Sequence, residues 1–354
     1  MSEVADTGQV AARQRRAGSL GLRGLLLAAL LCLSCILSVG IGPVTITVGK
    51  VAGILAAHLG WSDGPANWSL AEQNIVWELR LPRVLLAVVA GAGLAVVGAV
   101  LQVLTRNPLA DPYLFGVSAG AALGAVIVIL GVGPLAGTLG LSMAAFAGAM
   151  AAMLLVFAAA HGGGQTPSSG RLVLTGVAVA FILQAITNTL IVSDAHRAGE
   201  TVLFWMMGGL ATARWDSLLA PALATALGTL WLCLRASTIN ALGFGDDTAQ
   251  SLGIHVGRLR MEVLAVASLI TGTIVAACGG IGFVGLMLPH ITRLFVGGNL
   301  NRLLPVTALL GAIFLVWVDA LSRTLFAPRE IPLGVVTSLI GGVFFLWLMR
   351  KRKI

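Results

Sequence analysis

Arg235 to Glu262 reads RASTINALGFGDDTAQSLGIHVGRLRME, the one long polar segment in a chain that is otherwise nearly continuous apolar helix. Gly245-Asp246-Asp247-Thr248 supplies a helix start, with acids in the first turn where the helix dipole favours negative charge. Leu252 is the terminal hydrophobe of that helix and Gly253 its capping glycine. From His255 a second helix begins, carrying Arg258 and Arg260. A connection that only joined two spans would need a few residues, so about twenty-five with capping chemistry imply a folded surface element that another molecule grips. The segment reads as a handle by which a separate motor moves a membrane protein.

Composition sets the class around that handle. Hydrophobic residues make up 58% of the 354 and charged residues only 10%, which excludes a soluble protein and predicts an all-α polytopic membrane chain. The expected organisation is a polar cytoplasmic tail at 1–20, with Arg13, Arg15 and Arg16, and one transmembrane domain over 21–354 whose coupling segment is 236–260. A net charge of +8 would suggest nucleic acid in a soluble protein. Here the basic residues cluster between apolar runs, where they set topology, and no nucleic-acid partner is needed. Leu22 to Ile41 is of full-span length without a small-residue cleavage site, so it reads as an uncleaved first helix. Cys32, Cys35, Cys233 and Cys278 lie in or beside apolar runs and read as packing, the C-x-x-C of the first pair included.

Ten spans are predicted: Leu22 to Ile41, Leu81 to Leu104, Tyr113 to Val132, Leu139 to Ala160, Leu172 to Val192, Leu218 to Leu234, Met261 to Cys278, Ile281 to Val296, Leu303 to Leu325 and Leu333 to Met349. The eighth is short, opens on Gly279-Gly280-x-Gly282 and contains Pro289, so it does not read as one straight crossing helix. With the N-terminus inside, the inner faces hold Arg106, Arg171, Arg235, Arg258, Arg260, Arg293, Arg302 and the basic C-terminal tail. The outer faces hold only Lys50, Arg80, Arg83, Arg197, Arg214, Arg323 and Arg329. That bias places both termini and the handle in the cytoplasm. Thr45 to Gly60 reads as an amphipathic helix on the outer surface, followed by a polar loop through Glu78. Trp61, Trp68, Trp77, Trp205 and Trp215 read as outer interfacial anchors. Arg106 to Pro112 reads as a tight structural turn between two prolines.

The chemistry-bearing residues are sparse. The three lysines, Lys50, Lys351 and Lys353, stand in no phosphate-cradling G-x-x-x-x-G-K-[ST], so the chain is not its own ATPase and no enzymatic role is expected. The five histidines are scattered, and no metal site is predicted. Arg80 and Arg83, with Arg323 and with Arg329 in the following loop, put guanidiniums on the outer face, where topology disfavours them, and suit the docking of an acidic partner. Asp319 is the one acid well inside an apolar run; Arg323 at i+4 makes an ion pair the favoured reading over a proton relay. Gln184, Thr187 and Asn188 form a polar stripe on the fifth span, and Ser118, Thr337 and Ser338 offer polar groups in other spans; such residues serve as interhelical glue or as pathway lining.

Five stretches together carry a resemblance. Arg80-Leu-Pro-Arg83, Arg106-Asn-Pro-Leu-Ala-Asp-Pro-Tyr-Leu-Phe-Gly-Val-Ser-Ala-Gly120, Phe204-Trp-Met-Met-Gly-Gly209, Gly280-Ile-Gly-Phe-Val-Gly-Leu-Met-Leu-Pro-His-Ile-Thr-Arg293 and Glu330-Ile-Pro-Leu-Gly-Val-Val-Thr337 closely resemble the FecCD-type permeases. These are the transmembrane subunits of type II ABC importers for ferric siderophores, haem and cobalamin. The resemblance implies the ten-helix type II permease fold in a bacterial inner membrane. It implies dimerisation, with a second copy favoured over a paralogue. It also implies two ATPase subunits that hold ATP and Mg, no cofactor bound by this chain, and a periplasmic or lipid-anchored substrate-binding protein on the outer face. By the same resemblance Arg80, Arg83 and Arg323 match positions that meet binding-protein glutamates. Asp246, Asp247, Leu252, Gly253 and Arg258 belong to the ATPase-coupling segment. Ser168 and Ser169 fall in the connector that forms the cytoplasmic gate, and the fifth and tenth spans line the passage.

The expected cargo is an iron chelate, ferric siderophore or haem, with cobalamin as the alternative. The competing class is a proton-coupled secondary transporter with Asp319 as coupling carboxylate and broken helices around Gly280 to Pro289.

Overall fold

Apolar runs separated by glycine, proline and capping residues become helices throughout the residues that the computed structural model describes, 2–61, 67–133, 137–161, 169–193 and 202–351. In chain order these are α1 (Ser2–Gly40), α2 (Val48–His58), α3 (Leu70–Asn74), α4 (Leu81–Leu104), α5 (Val117–Gly131), α6 (Gly137–His161) and α7 (Ser169–Ser193). After the short α8 (202–206) come α9 (Trp215–Leu234), α10 (Ala236–Leu242), α11 (Asp246–Ser251), α12 (Val256–Cys278), α13 (Val284–Val296), α14 (Leu300–Thr324) and α15 (Leu333–Lys351). Among the described residues eight helices are long and apolar enough to cross a membrane, and the shorter α5 and α13 fill the places of the third and eighth expected spans. The ten-span, all-α expectation therefore stands. The surface helix expected at Thr45 to Gly60 is α2, which turns Val51 and Ile54 inward.

One expectation about loops changes. The stretch through Glu78 is not a polar loop: Ser69 and Glu72 form a reciprocal capping box that starts α3, and a π-helical turn, Ile75–Arg80, runs straight into α4. The Arg106 to Pro112 turn, read as structural, packs into the bundle. Asp111 is buried and caps a 3-10 turn, Pro112–Phe115, which lies against Gly285 of α13.

α4 is the axis, with 78% of its apolar stretch buried against 17% for α1 and 22% for α7. α14 lies along it so closely that a Cβ on either Gly91 or Gly311 would strike the other's carbonyl; α5 and α6 repeat the arrangement at Gly120 and Gly148. Where lipid is as apolar as the side chains, such backbone approach is what gains contact energy. The outer helices α1 and α7 keep broad apolar faces. At 1.5 Å per residue the 24 residues of α4 separate two ends of the bundle by about 36 Å. The handle closes the end past Leu104; Arg80 and Arg83 stand at the other. His58, Trp77 and Trp215 stack at that second end, with ring centroids 4.1 and 5.2 Å apart. Trp205 is not in that belt and sits half-buried against a cavity.

Candidate functional site

At the handle end the capping signals act where the sequence places them. Gly245, at φ 114°, turns the chain into α11, and Asp246 and Asp247 occupy its first turn. The helix closes through Gly253, at φ 77°, with Gly253 N–H donating to Gln250 O and Ile254 N–H to Ala249 O, the paired bonds of a Schellman cap. Only Ala249 of α11 is buried, so the helix is held by its ends. Arg260 from α12, nearly fully buried, donates from Nη2 to Asp246 Oδ1 at 2.8 Å, and Arg106 Nη2 stands 3.6 Å from the same oxygen. α10, which the sequence reading did not separate out, is clasped to the start of α14: Asn240 donates to Asn299 Oδ1 and accepts from Leu300 N–H, both at 3.1 Å. The handle is thus rigidly joined to α12 and α14, while Phe244, Leu252, Asp247 and Arg258 stay exposed. Arg258 binds Glu262 at 3.0 Å.

The other end differs from expectation. Arg80, Arg83 and Arg323 do not form an exposed patch; their side chains are buried. Arg80 donates to the carbonyls of Val39, Gly40 and Val44, and Arg323 to those of Ser38 and Ile41 and to Ser38 Oγ. Both therefore cap the C-terminal end of α1, where unsatisfied carbonyls and the helix dipole attract cations. Arg83 Nε donates to Asp319 Oδ1 at 2.8 Å, and its Nη1 is shared between both Glu330 oxygens at 2.9 Å. Arg323 Nε lies 3.0 Å from Asp319 Oδ2, close enough for charge attraction but not aligned for a hydrogen bond. Asp319, wholly buried, thus pairs with Arg323 as expected and with Arg83 as well. The three arginines share one end of the bundle, but the end of α1 that absorbs two of them is a tertiary fact.

Between the two ends lies a cavity of about 200 Å³, lined among others by Tyr113, Ser118, Gln184, Trp205, Met206 and Gly280. Every lining group among the described residues is uncharged. Its wall is knotted from three chain segments. Gly209 N–H donates to Cys278 O, Leu333 N–H to Gly208 O and Gly334 N–H to Met207 O. Gly208, at φ 71°, packs onto the Gly280 carbonyl without room for a Cβ. The Ile281 N–H donates to the hydroxyl of Tyr113, the chain's single tyrosine. Nearby, burial pushes the Asp111 carboxyl up to about 6, the bond from Tyr113 N–H pulling the other way.

Of the expected pathway residues, Gln184 reaches the cavity and donates to Asn188 Oδ1 at 2.9 Å; Asn188 itself is exposed on α7. Thr187 and Thr337 are buried and bond back to Leu183 O and Gly334 O in their own helices, while Ser338 is exposed. Ser168 lies outside the described residues, and Ser169 begins α7. Tyr113, Trp205 and Met206 went unassigned to the passage; the Gly279-Gly280-x-Gly282 break was the signal that could have drawn attention to them.

The model of the FecCD transport family matches residues 30–351. The chain belongs to the FecCD transport family. Like its relatives it is an ABC importer permease, a membrane-embedded transport subunit. The Fe(3+)-citrate import system permease protein YfmD of Bacillus subtilis is 42% identical over 79% of this chain and 82% of its own. The cobalamin import system permease protein BtuC of Halobacterium salinarum is also 42% identical, over 80% of this chain and 75% of its own. A solved metal-chelate type ABC transporter in an inward-facing conformation superposes with a TM-score of 0.81 at 30% identity, covering 94% of this chain and all of that one. FecCD membership leaves the cargo open, since relatives of equal identity carry different ones.

Proposed function

We propose that this FecCD permease moves an iron chelate, a ferric siderophore or haem, into the cytoplasm by alternating access, driven by ATP and Mg held on two separate ATPase subunits. The observation that carries the reading is the handle: α11 exposes Phe244 and Leu252 at its two ends while Asp246 anchors it to buried Arg260. An exposed apolar edge on a rigidly mounted helix suits seating in a groove of another protein, and force applied there passes into α12 and α14. Positive charge near the spans orients the handle and both termini inward, in a bacterial inner membrane. A second copy of the chain fits the broad apolar face of α7, and a periplasmic or lipid-anchored substrate-binding protein docks at the arginine end. The uncharged cavity suits a metal whose charge its chelator already masks. Cobalamin is the alternative cargo, supported by the relative of equal identity.

A proton-coupled secondary transporter is less well supported, because Asp319 has guanidinium nitrogens within 3.0 Å of both its oxygens. In proteoliposomes, uptake is expected only when ATPase subunits, ATP and binding protein are all present. Leu252→Asp is expected to abolish uptake while ATP hydrolysis by the subunits persists. Accumulation of ferric chelate by the permease alone would overturn the proposal.

A further inference from the structure

The three arginines at the docking end are not equivalent. Arg80 and Arg323 are committed to main-chain carbonyls at the end of α1, and Arg83 Nε to wholly buried Asp319. None of those partners can leave without opening the bundle. Glu330 can: its side chain is 37% exposed, and it holds Arg83 through one nitrogen shared between both oxygens instead of two parallel bonds. Among the described residues three guanidiniums face two carboxylates here, an excess positive charge that a further carboxylate would lower.

Glu330 also begins the segment that is bonded behind the cavity's Trp205 and Met206. Ile331 exchanges bonds with Ser322, its N–H donating to Ser322 O and its carbonyl accepting from Ser322 Oγ. Two residues on, Leu333 and Gly334 donate to Gly208 and Met207, beside the Trp205 and Met206 that line the cavity.

We propose that Glu330 is an internal stand-in for a carboxylate of the docking protein. In the free permease it occupies Arg83. An acidic side chain on the substrate-binding protein takes its place, and the freed 330–334 segment loosens its bonds to Gly208 and Met207. One carboxylate replaces another, so Arg83 is never left buried and unpaired, which is the costly state for such a group. Docking is thereby tied to the cavity wall through five residues of chain. This inference rests on the importer reading, in which an acidic binding protein docks at this end.

The test uses the complete transporter in nanodiscs with the substrate-binding protein of the same system. Glu330→Gln removes the competitor, and the binding protein is expected to bind about two- to fivefold more tightly, the size of a partly exposed ion pair. Glu330→Asp, too short to hold Arg83 as well, should move affinity in the same direction by less. In the wild-type chain, adding binding protein should speed amide exchange at Leu333 and Gly334, and Glu330→Gln should speed it without the partner. If Arg83→Gln weakens docking but Glu330→Gln does not tighten it, the stand-in is overturned while the docking reading stands. If neither changes affinity, docking at this end is itself overturned. Weaker binding by Glu330→Gln would make Glu330 a docking contact and also overturn the proposal, as would unchanged exchange at Leu333 and Gly334 on docking.

Discussion

Each end of α4 is closed by two arginines on one aspartate, yet the two closures are built for different work. At the handle, Asp246 is 30% exposed on a six-residue helix, and buried Arg260 reaches out to it. At the opposite end, Asp319 is wholly buried in the 25-residue α14, and Arg83 and Arg323 reach inward. The acid on a short surface helix makes a mount that can transmit a push. The acid inside a long helix makes a lock that holds α1, α4 and α14 together.

The comparison breaks most readily at the lock. Asp319→Ala takes the buried carboxylate from both guanidiniums, leaving Arg83 only the partly exposed Glu330 and Arg323 only the end of α1, and a loss of about 3–5 kcal/mol is expected. A large fall in the melting temperature of the detergent-purified chain measures it; an unchanged melting temperature would mean that Glu330 alone satisfies Arg83 and the end of α1 alone satisfies Arg323. Asp246→Ala should cost less, about 1–2 kcal/mol, because water reaches the vacated site and part of the pair was screened already. Its sharper signature is functional: ATP hydrolysis should continue with uptake reduced out of proportion to the loss in stability. The smallest effect belongs to Arg258→Ala, whose i,i+4 pair with Glu262 lies at 80% exposure of the arginine. No measurable shift in melting temperature is expected, so any loss of uptake there reports contact with the ATPase subunit and not handle folding.

The same contrast governs what could be read in advance. Gly245, Asp246, Leu252 and Gly253 marked α11 because a cap depends on φ, on a dipole and on neighbours within one turn, all local properties. Hydrophobic runs placed ten spans for the same reason: crossing a bilayer needs only length and apolarity. α10 was missed because its seven residues carry no cap of their own, and its clasp, Asn240 on Asn299, joins residues distant in the chain. The Ser69-x-x-Glu72 box was legible but overlooked in a polar stretch, and the helix it starts replaced an expected loop.

Charge counting put Arg80, Arg83 and Arg323 at one end of the bundle, and the order of residues alone carried their number, their neighbours in sequence and the i,i+4 pairing of Asp319 with Arg323. Which way each guanidinium points was decided only by tertiary structure. The carbonyls at the end of α1 and the carboxylate of Glu330 come from segments roughly forty and two hundred and fifty residues away from α4's first turn. The cavity is likewise tertiary, assembled where Gly208, Gly280 and Gly334 let three backbones meet. Local sequence determines what each helix is and where it ends, because those energies act within a turn or across a bilayer. Burial of a charged group depends on which distant partner arrives to neutralise it, and that is settled only when the helices pack.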